Sequence, residues 1–163
     1  MMATTMLIAM IRPPRRLALP RDDTMHDHAP HDPLPAAVAP HPLILRLETE
    51  FHWPRLQSAS DVAEFLGRPG AHCLFIPGDP RRNLETADAA VILPELRLAF
   101  QNAFDCAVVD DAIEAHLRET HRALKTPGLL FFRETRFLAA IEKMRDWSDY
   151  LARISHILQL NPV

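Results

Sequence analysis

The chain has few of the residues on which small redox, secreted and metal proteins rely. It has 163 residues but only two cysteines, Cys73 and Cys106, and they do not form a CxxC pair. A disulfide scaffold and a thiolate metal site are therefore not expected. It also has only four glycines, and neither GxxxxGK[ST] nor GxGxxG occurs among them, so a nucleotide-binding loop is not predicted.

Long apolar runs and an excess of positive charge are missing as well. No apolar run approaches the roughly 20 residues that span a bilayer, so membrane insertion is not predicted. The formal net charge is −3, whereas dedicated nucleic-acid binders are normally basic, so no nucleic-acid partner is predicted. A composition of 48% hydrophobic and 24% charged residues is ordinary for a soluble globular protein, and the length suggests one domain.

The first 40 residues differ in composition from the rest of the chain. They contain seven of the fifteen prolines and little periodicity, which is typical of disorder. A short apolar stretch precedes Arg15 and Arg16, the reverse of the order in a secretory signal, so no export signal is predicted. We interpret residues 1–40 as a disordered or mis-assigned extension, with Met25 as an alternative start, and residues 41–163 as the domain. No metal site is predicted from His26, His28 and His31 of this region together with the adjoining His41.

The remaining residues alternate between helical and strand patterns. Two apolar runs, 71–76 and 104–110, are typical of buried strands, and PGLLFF and FLAAIE around RETR indicate a hairpin. Leu124 and Trp147 are assigned to buried helix stripes, and Pro94 is expected to bend or restart its helix. A polar connection is predicted at 81–88. The helices are predicted at 42–51, 58–67, 89–102, 111–124 and 146–158, with an extended piece at 52–57.

The order α-β-α-β-α-β-α-β-β-α implies an α/β fold with a parallel core and an antiparallel edge. Thr126-Pro127 precedes the hairpin, Pro94 lies within the long third helix, and the chain ends in a hairpin followed by a helix. This pattern resembles the thioredoxin fold, which keeps a cis-proline and a kinking proline at those places. The resemblance covers about residues 52–158. It implies a thioredoxin-like fold, a central mixed sheet flanked by helices, with an extra N-terminal helix.

The chemistry of thioredoxins is missing from the expected position. Thioredoxins carry two cysteines where a helix N-terminus lowers the thiol pKa, but no cysteine lies between Ile76 and Pro94 here. Cys73 and Cys106 lie inside strands that should be neighbours, where burial makes a thiol inert, so we predict that they fill the core. A thiol oxidoreductase that uses Cys73 and Cys106 is the alternative from a different class.

No other constellation indicates catalysis. The loop PGDPRR after the second strand contains two prolines, which remove the N–H donors that a phosphate cradle needs. No serine lies in a GxSxG motif, and no pair of acids or histidines stands out as a general acid–base couple. The sequence therefore predicts no catalytic residue and no cofactor.

That loop has a further pattern. Asp79-Pro80-Arg81 is followed by Glu85 and Asp88 and then by a helix. Together with the leading helix, the motif HWPRL and a tryptophan at the start of the last helix, this pattern resembles the HupG/HyaE family, also called HoxO, of accessory proteins for uptake NiFe hydrogenases. The match covers about residues 41–158. Members of that family also lack CxxC.

The resemblance implies a cytoplasmic, non-enzymatic assembly chaperone. Its implied partner is the NiFe hydrogenase small-subunit precursor, which carries a twin-arginine signal peptide and receives iron–sulfur clusters before export. Other hydrogenase accessory proteins are further candidate partners, and a scaffold that binds the assembled enzyme instead is left open. The partner-binding residues that we predict are Asp79, Pro80, Arg81, Glu85, Asp88 and Pro127.

Charge and fold suggest how such a peptide would bind. Carboxylates form bidentate pairs with guanidinium groups, and the groove beside Pro127 is expected to leave backbone groups free for an extended peptide. Further acids are expected to cluster along the 104–110 strand and the next helix: Asp105, Asp110, Asp111, Glu114 and Glu119.

Overall fold

A computed structural model describes residues 39–159 of the chain. The predictions for residues 1–38, which are a disordered or mis-assigned extension and no metal site at its histidines, lie outside the described residues. Over residues 39–159 the elements follow the order that the sequence predicted. The helices are α1 (Pro42–Thr49), α2 (Ala59–Leu66), α3 (Glu85–Ala99), α4 (Asp111–Thr120) and α5 (Trp147–Gln159). The strands are β1 (Arg55–Leu56), β2 (Ala71–Ile76), β3 (Phe104–Val109), β4 (Gly128–Arg133) and β5 (Arg136–Glu142).

The five strands form one mixed sheet in the order β1-β3-β2-β4-β5. Strands β1 and β2 run parallel to β3, and the hairpin of β4 and β5 adds the antiparallel edge. The central strand β2 places Cys73 opposite Cys106 of β3 on one side and Phe131 of β4 on the other. The mixed sheet flanked by helices confirms the predicted thioredoxin-like fold.

Strand side chains alternate between the two faces of the sheet, and both faces here carry apolar side chains that helices cover. On one face, α1, α3 and α5 pack against side chains that include Cys73, Phe75 and Phe131. On the other face, α2 and α4 pack against side chains that include Leu74 and Leu130. Strand β2 is buried on both faces, which explains its continuous apolar run.

Local capping sets the starts of the first two helices. The His41 side chain accepts a hydrogen bond from the Leu43 N–H, and Pro42 occupies the first helical position. Ser58 and Asp61 form a reciprocal capping box at the start of α2. These residues confirm the two helix starts that the sequence predicted.

Helix α3 begins at Glu85, so the prediction of a polar connection over 81–88 and a helix from residue 89 was wrong. The Asn83 side-chain oxygen accepts a hydrogen bond of 3.0 Å from the Glu85 N–H, which satisfies one of the donors at the helix start. The helix continues through Pro94 to Ala99 as one element and does not restart there.

Two predicted core residues are exposed. Helix α4 ends at Thr120, and Arg122 then takes a left-handed conformation with φ of 53°, so Leu124 lies outside the helix and is 60% exposed. Trp147 is the first residue of α5 and is 44% exposed. The buried stripe of α5 consists of Tyr150, Ile154 and Ile157.

Candidate partner-binding site

Residues 77–84, which we call the strand-exit loop, connect the end of β2 to the start of α3. Gly78 in this loop has φ of 71°, a left-handed conformation that suits glycine. A Cβ atom at Gly78 would lie 2.4 Å from the Thr126 Oγ1 atom. The loop therefore packs directly against the segment that precedes β4, and only a residue without a side chain fits.

Three hydrogen bonds hold the strand-exit loop from different sides. The Gly78 N–H donates to Glu114 Oε2 at 3.2 Å, and the Thr86 hydroxyl donates to the Pro77 carbonyl at 2.6 Å. The Asn83 side-chain amide donates to the Thr126 carbonyl at 2.7 Å. The donors and acceptors come from the loop itself, α3, α4 and the segment before β4, so the loop is tied to three neighbouring parts of the fold.

The tip of the loop is held by its own aspartate. Asp79 Oδ1 accepts a hydrogen bond of 3.0 Å from the Arg81 N–H, and the Asp79 carbonyl accepts from the N–H groups of Arg82 and Asn83. Arg82 also approaches the Asp79 carboxylate at 3.5 Å, but this pair is largely exposed and contributes little. Arg81 is exposed, and its side chain forms no ion pair within residues 39–159. The tip thus presents a carboxylate and a guanidinium group, with Pro80 half-buried between them.

Glu85 and Asp88 both lie in the first turn of α3 but have different surroundings. The Glu85 carboxylate is half-buried and accepts a hydrogen bond of 3.3 Å from the Met144 N–H, so it links α3 to the segment before α5. Asp88 is exposed and makes no ion pair within residues 39–159. Of these two predicted residues, only Asp88 presents an unengaged carboxylate.

Pro127 is buried, and the Thr126-Pro127 peptide bond is cis, as the resemblance to thioredoxins implied. The Pro127 carbonyl accepts a hydrogen bond of 2.7 Å from the Lys143 N–H, and the Thr126 carbonyl accepts one from Asn83. The expectation that the groove beside Pro127 leaves backbone groups free is wrong for these two carbonyls, because the chain supplies donors to both.

The five acids along β3 and α4 divide into two groups: Asp111 and Glu119 are exposed without an ion pair within residues 39–159, whereas the other three are engaged inside the chain. Asp105 lies at the start of β3, away from the strand-exit loop, and pairs with Arg97 at 3.2 Å. Asp110 pairs with Arg55 at 2.9 Å; the Ala112 N–H and this arginine lower the pKa of Asp110. Burial raises the pKa of Glu114. Each of these three carboxylates already has a partner inside the chain.

The two cysteines are buried side by side on β2 and β3 as free thiols. Burial, with the neighbouring Cys106 thiol, raises the pKa of Cys73 well above its usual range. A thiolate is the reactive form, so this environment opposes the redox alternative. Within residues 39–159, no group of three His, Cys, Asp or Glu side chains is arranged to hold a metal ion.

Sequence reasoning did not assign to Asn83, Glu114 and Thr126 the role of holding the strand-exit loop in place. Only Asn83 carries a local signal, because an asparagine two residues before Glu85 is a common helix-start residue. The contacts of Glu114 and Thr126 with the loop join positions 36 and 43 residues apart in the chain, and no pattern in the sequence marks them.

A thioredoxin fold with an internally bonded loop in place of the dithiol defines a thioredoxin-like protein that lacks the thioredoxin redox centre. Residues 43–150 match the family described as Hydrogenase-1 expression protein HyaE, and the chain belongs to this family.

Two relatives illustrate the match. A hydrogenase expression/formation protein HupG of Rhodobacter capsulatus is 66% identical over 134 residues, which cover 82% of this chain and 97% of that relative. A hydrogenase expression/formation protein HoxO of Azotobacter vinelandii is 38% identical over 72% of this chain and 78% of that relative.

Among solved structures, a mutant thioredoxin from Halobacterium salinarum superposes with a TM-score of 0.54 at 14% identity. The superposition covers 67% of this chain and 93% of that chain, and at this identity it supports the fold alone. Separately, no helix among residues 39–159 is long and apolar enough to cross a membrane.

Proposed function

We propose that this chain serves hydrogenase maturation as a non-enzymatic cytoplasmic chaperone that holds the small-subunit precursor of a NiFe hydrogenase before export. Support for the maturation role comes from the family, since relatives over most of the chain are named hydrogenase expression/formation proteins. Support for a binding role comes from the strand exit. There the fold carries a rigidly bonded, charged loop where thioredoxins have their cysteines.

The predicted partner-binding residues divide into two groups in this proposal. Asp79, Arg81 and Asp88 are exposed and would contact the partner directly. Pro80, Glu85 and Pro127 would shape the surface: Pro80 restricts the backbone of the loop, and the other two are half-buried or buried with hydrogen bonds inside the chain.

The part of the precursor that fits this surface is its twin-arginine signal peptide. Such a peptide offers guanidinium groups followed by an apolar run, and carboxylates bind guanidinium groups in a bidentate geometry. Asp88 has no ion-pair partner within residues 39–159, and Asp79 has only an exposed pair with Arg82 that a stronger partner would displace.

Copurification tests the proposal. An affinity-tagged copy of this chain, coexpressed with the small-subunit precursor, should retain the precursor, and a precursor without its signal peptide should be lost. The double variant Asp79→Asn and Asp88→Asn should reduce retention several-fold, because each asparagine keeps an acceptor oxygen at position 79 or 88 but removes the charge. Equal retention of the precursor with and without its signal peptide would contradict the peptide-recognition part.

Helices α2 and α4, on the opposite face of the sheet from α3, provide a matched control. Glu64 on α2 and Glu119 on α4 are exposed acids without ion-pair partners within residues 39–159. The double variant Glu64→Gln and Glu119→Gln removes the same charge and should retain the precursor like the parent. The remaining alternative is a scaffold that binds the assembled enzyme. Purifying the tagged chain at successive times during maturation tests it, because such a scaffold would copurify with the hydrogenase only after the two hydrogenase subunits pair.

A further inference from the structure

Helix α3 carries large apolar side chains on the side that faces away from the sheet. Leu84, Val91 and Leu98 are 82%, 44% and 60% exposed, respectively. The opposite side of the same helix is buried against the sheet and α1. A helix on the outside of a domain normally has a polar outer face, and apolar residues all round are typical of a helix that is covered on both sides.

The exposed apolar residues form a regular pattern with two acids. Leu84, Asp88, Val91, Glu95 and Leu98 follow one another at spacings of four, three, four and three residues. At about 100° per residue, these positions fall within an arc of about 80° on the helix surface. We call these five residues the outer stripe of α3; it begins one residue before the helix, where Leu84 already has helical backbone angles.

The two acids of the outer stripe are unengaged. Asp88 and Glu95 are both exposed, and neither forms an ion pair within residues 39–159. Glu50 and Asp149 differ in this respect, because each pairs with an arginine four residues away along the chain. The outer stripe therefore combines apolar side chains with free negative charges, and its complement is a segment that carries both large apolar side chains and cations.

We propose that the outer stripe of α3 binds a peptide segment of the partner that carries both cationic and large apolar side chains. The inference rests on the proposed function in one respect, since it assigns this segment to the signal peptide of the small-subunit precursor. Because the stripe begins at Leu84 of the strand-exit loop and includes Asp88, it extends the surface of the loop along the whole of α3 and adds the exposed apolar side chains of Val91 and Leu98.

The length of the outer stripe sets the length of the peptide segment that it can bind. The stripe runs from residue 84 to residue 98, about 21 Å at a helical rise of 1.5 Å per residue. An extended peptide of six or seven residues covers that length, at about 3.3 Å per residue. Asp88 and Glu95 are about 10 Å apart along the axis, the distance that three residues of an extended peptide span.

The test uses two positions of the stripe that the loop experiment leaves intact. The variant Glu95→Lys with Leu98→Ser reverses one charge and removes one apolar side chain. Its matched control is Glu64→Lys with Leu124→Ser, which changes an exposed acid and a leucine with the same 60% exposure elsewhere on the domain. Both pairs of positions are exposed, so both variants should unfold at the parent's temperature. Binding of a fluorescently labelled signal peptide of the precursor is measured by anisotropy with the full chain.

The inference expects the stripe variant to bind at least about tenfold more weakly than the parent and the control variant to bind within about twofold of the parent. If the parent binds and both variants match it, the stripe inference is overturned and the proposed function stands. If the parent binds neither the peptide nor the precursor, both are overturned together. If sedimentation shows a dimer that only the stripe variant disrupts, with peptide binding unchanged, the occupant is a second copy of this chain and the inference is wrong.

Discussion

The Asn83 side chain donates a hydrogen bond of 2.7 Å to the carbonyl oxygen of Thr126, which lies 43 residues further along the chain. The same side chain accepts a hydrogen bond from the Glu85 N–H at 3.0 Å. One residue thus starts α3 and also links the strand-exit loop to the segment before β4. The link fixes the loop without a disulfide or a metal ion among residues 39–159.

Replacing Asn83 should separate these two roles. Asn83→Ala removes both hydrogen bonds and should lower the free energy of unfolding by about 1–2 kcal/mol. Asn83→Asp keeps the oxygen that accepts from Glu85 and places a negative charge at the helix N-terminus, so it should cost less. Urea unfolding of the parent and both variants measures the difference. Equal losses for alanine and aspartate would show that the Thr126 link alone matters.

Gly78 should tolerate no side chain. Gly78→Ala requires a left-handed alanine and brings its Cβ to 2.4 Å from Thr126 Oγ1, so we expect a loss of about 2–4 kcal/mol. Gly70 provides the control, because it also has a positive φ, 101°, but a Cβ there meets nothing within 4 Å. Gly70→Ala should therefore cost less, and thermal unfolding of the two variants compares them. Similar losses would show that backbone conformation, not contact with Thr126, sets the cost.

Glu114 should make stability depend on pH. Burial raises the pKa of folded Glu114 above its ordinary value of 4.5, in spite of the Gly78 N–H and Arg118, which favour the charged form. The folded state then holds this proton more tightly than the unfolded chain. The resulting stabilisation is present below pH 4.5 and is lost as the pH rises through the folded pKa.

Glu114→Gln isolates this effect, because glutamine resembles the protonated acid at every pH. The free energy of unfolding of the parent minus that of the variant should fall as the pH rises from 4 and level off above the folded pKa. Asp110, whose pKa is lowered, makes stability depend on pH in the opposite direction. It is present in both proteins, so its contribution cancels in the difference between their free energies of unfolding. A difference that rises with pH would show that the hydrogen bond from Gly78 outweighs burial.

The thiols should be unreactive in the folded protein. Cys73 and Cys106 are buried, and the pKa of Cys73 is raised, so Ellman's reagent should label neither until the chain is unfolded, and then both. In an insulin-reduction assay, the parent should match the blank, and so should the double variant Cys73→Ala and Cys106→Ala. Activity in the parent that the double variant lacks would restore the oxidoreductase alternative.

Local patterns were sufficient for most of the fold. The apolar run 71–76 and the capping pair Ser58 and Asp61 marked elements that the structure confirms. Predictions failed where the end of a helix depended on a hydrogen bond from a nearby side chain or on the backbone conformation of a single residue. The start of α3 depends on Asn83, and α4 ends before Arg122, so Leu124 is exposed although its spacing is helical.

The candidate site was predicted less well, because acids that look alike in sequence have different partners in the fold. Glu85 and Asp88 both follow the Asp-Pro-Arg turn, but Glu85 binds the Met144 N–H, 59 residues away, and Asp88 has no such partner within residues 39–159. Asp110 pairs with Arg55, 55 residues earlier. Long-range contacts of this kind leave no periodic signal in the sequence.

The sequence by itself determined the order of helices and strands and the absence of a dithiol, because periodicity, capping residues and cysteine positions are local properties. The thioredoxin-like topology followed from the resemblance of that order to a known fold. Only the tertiary structure decided which charged and apolar side chains face the solvent without a partner. That outcome depends on which residues the fold brings together across the sheet. It is the reason that Asp79, Arg81 and the outer stripe of α3 form the proposed binding surface, whereas Glu114, Glu85 and Pro127 make hydrogen bonds inside the chain.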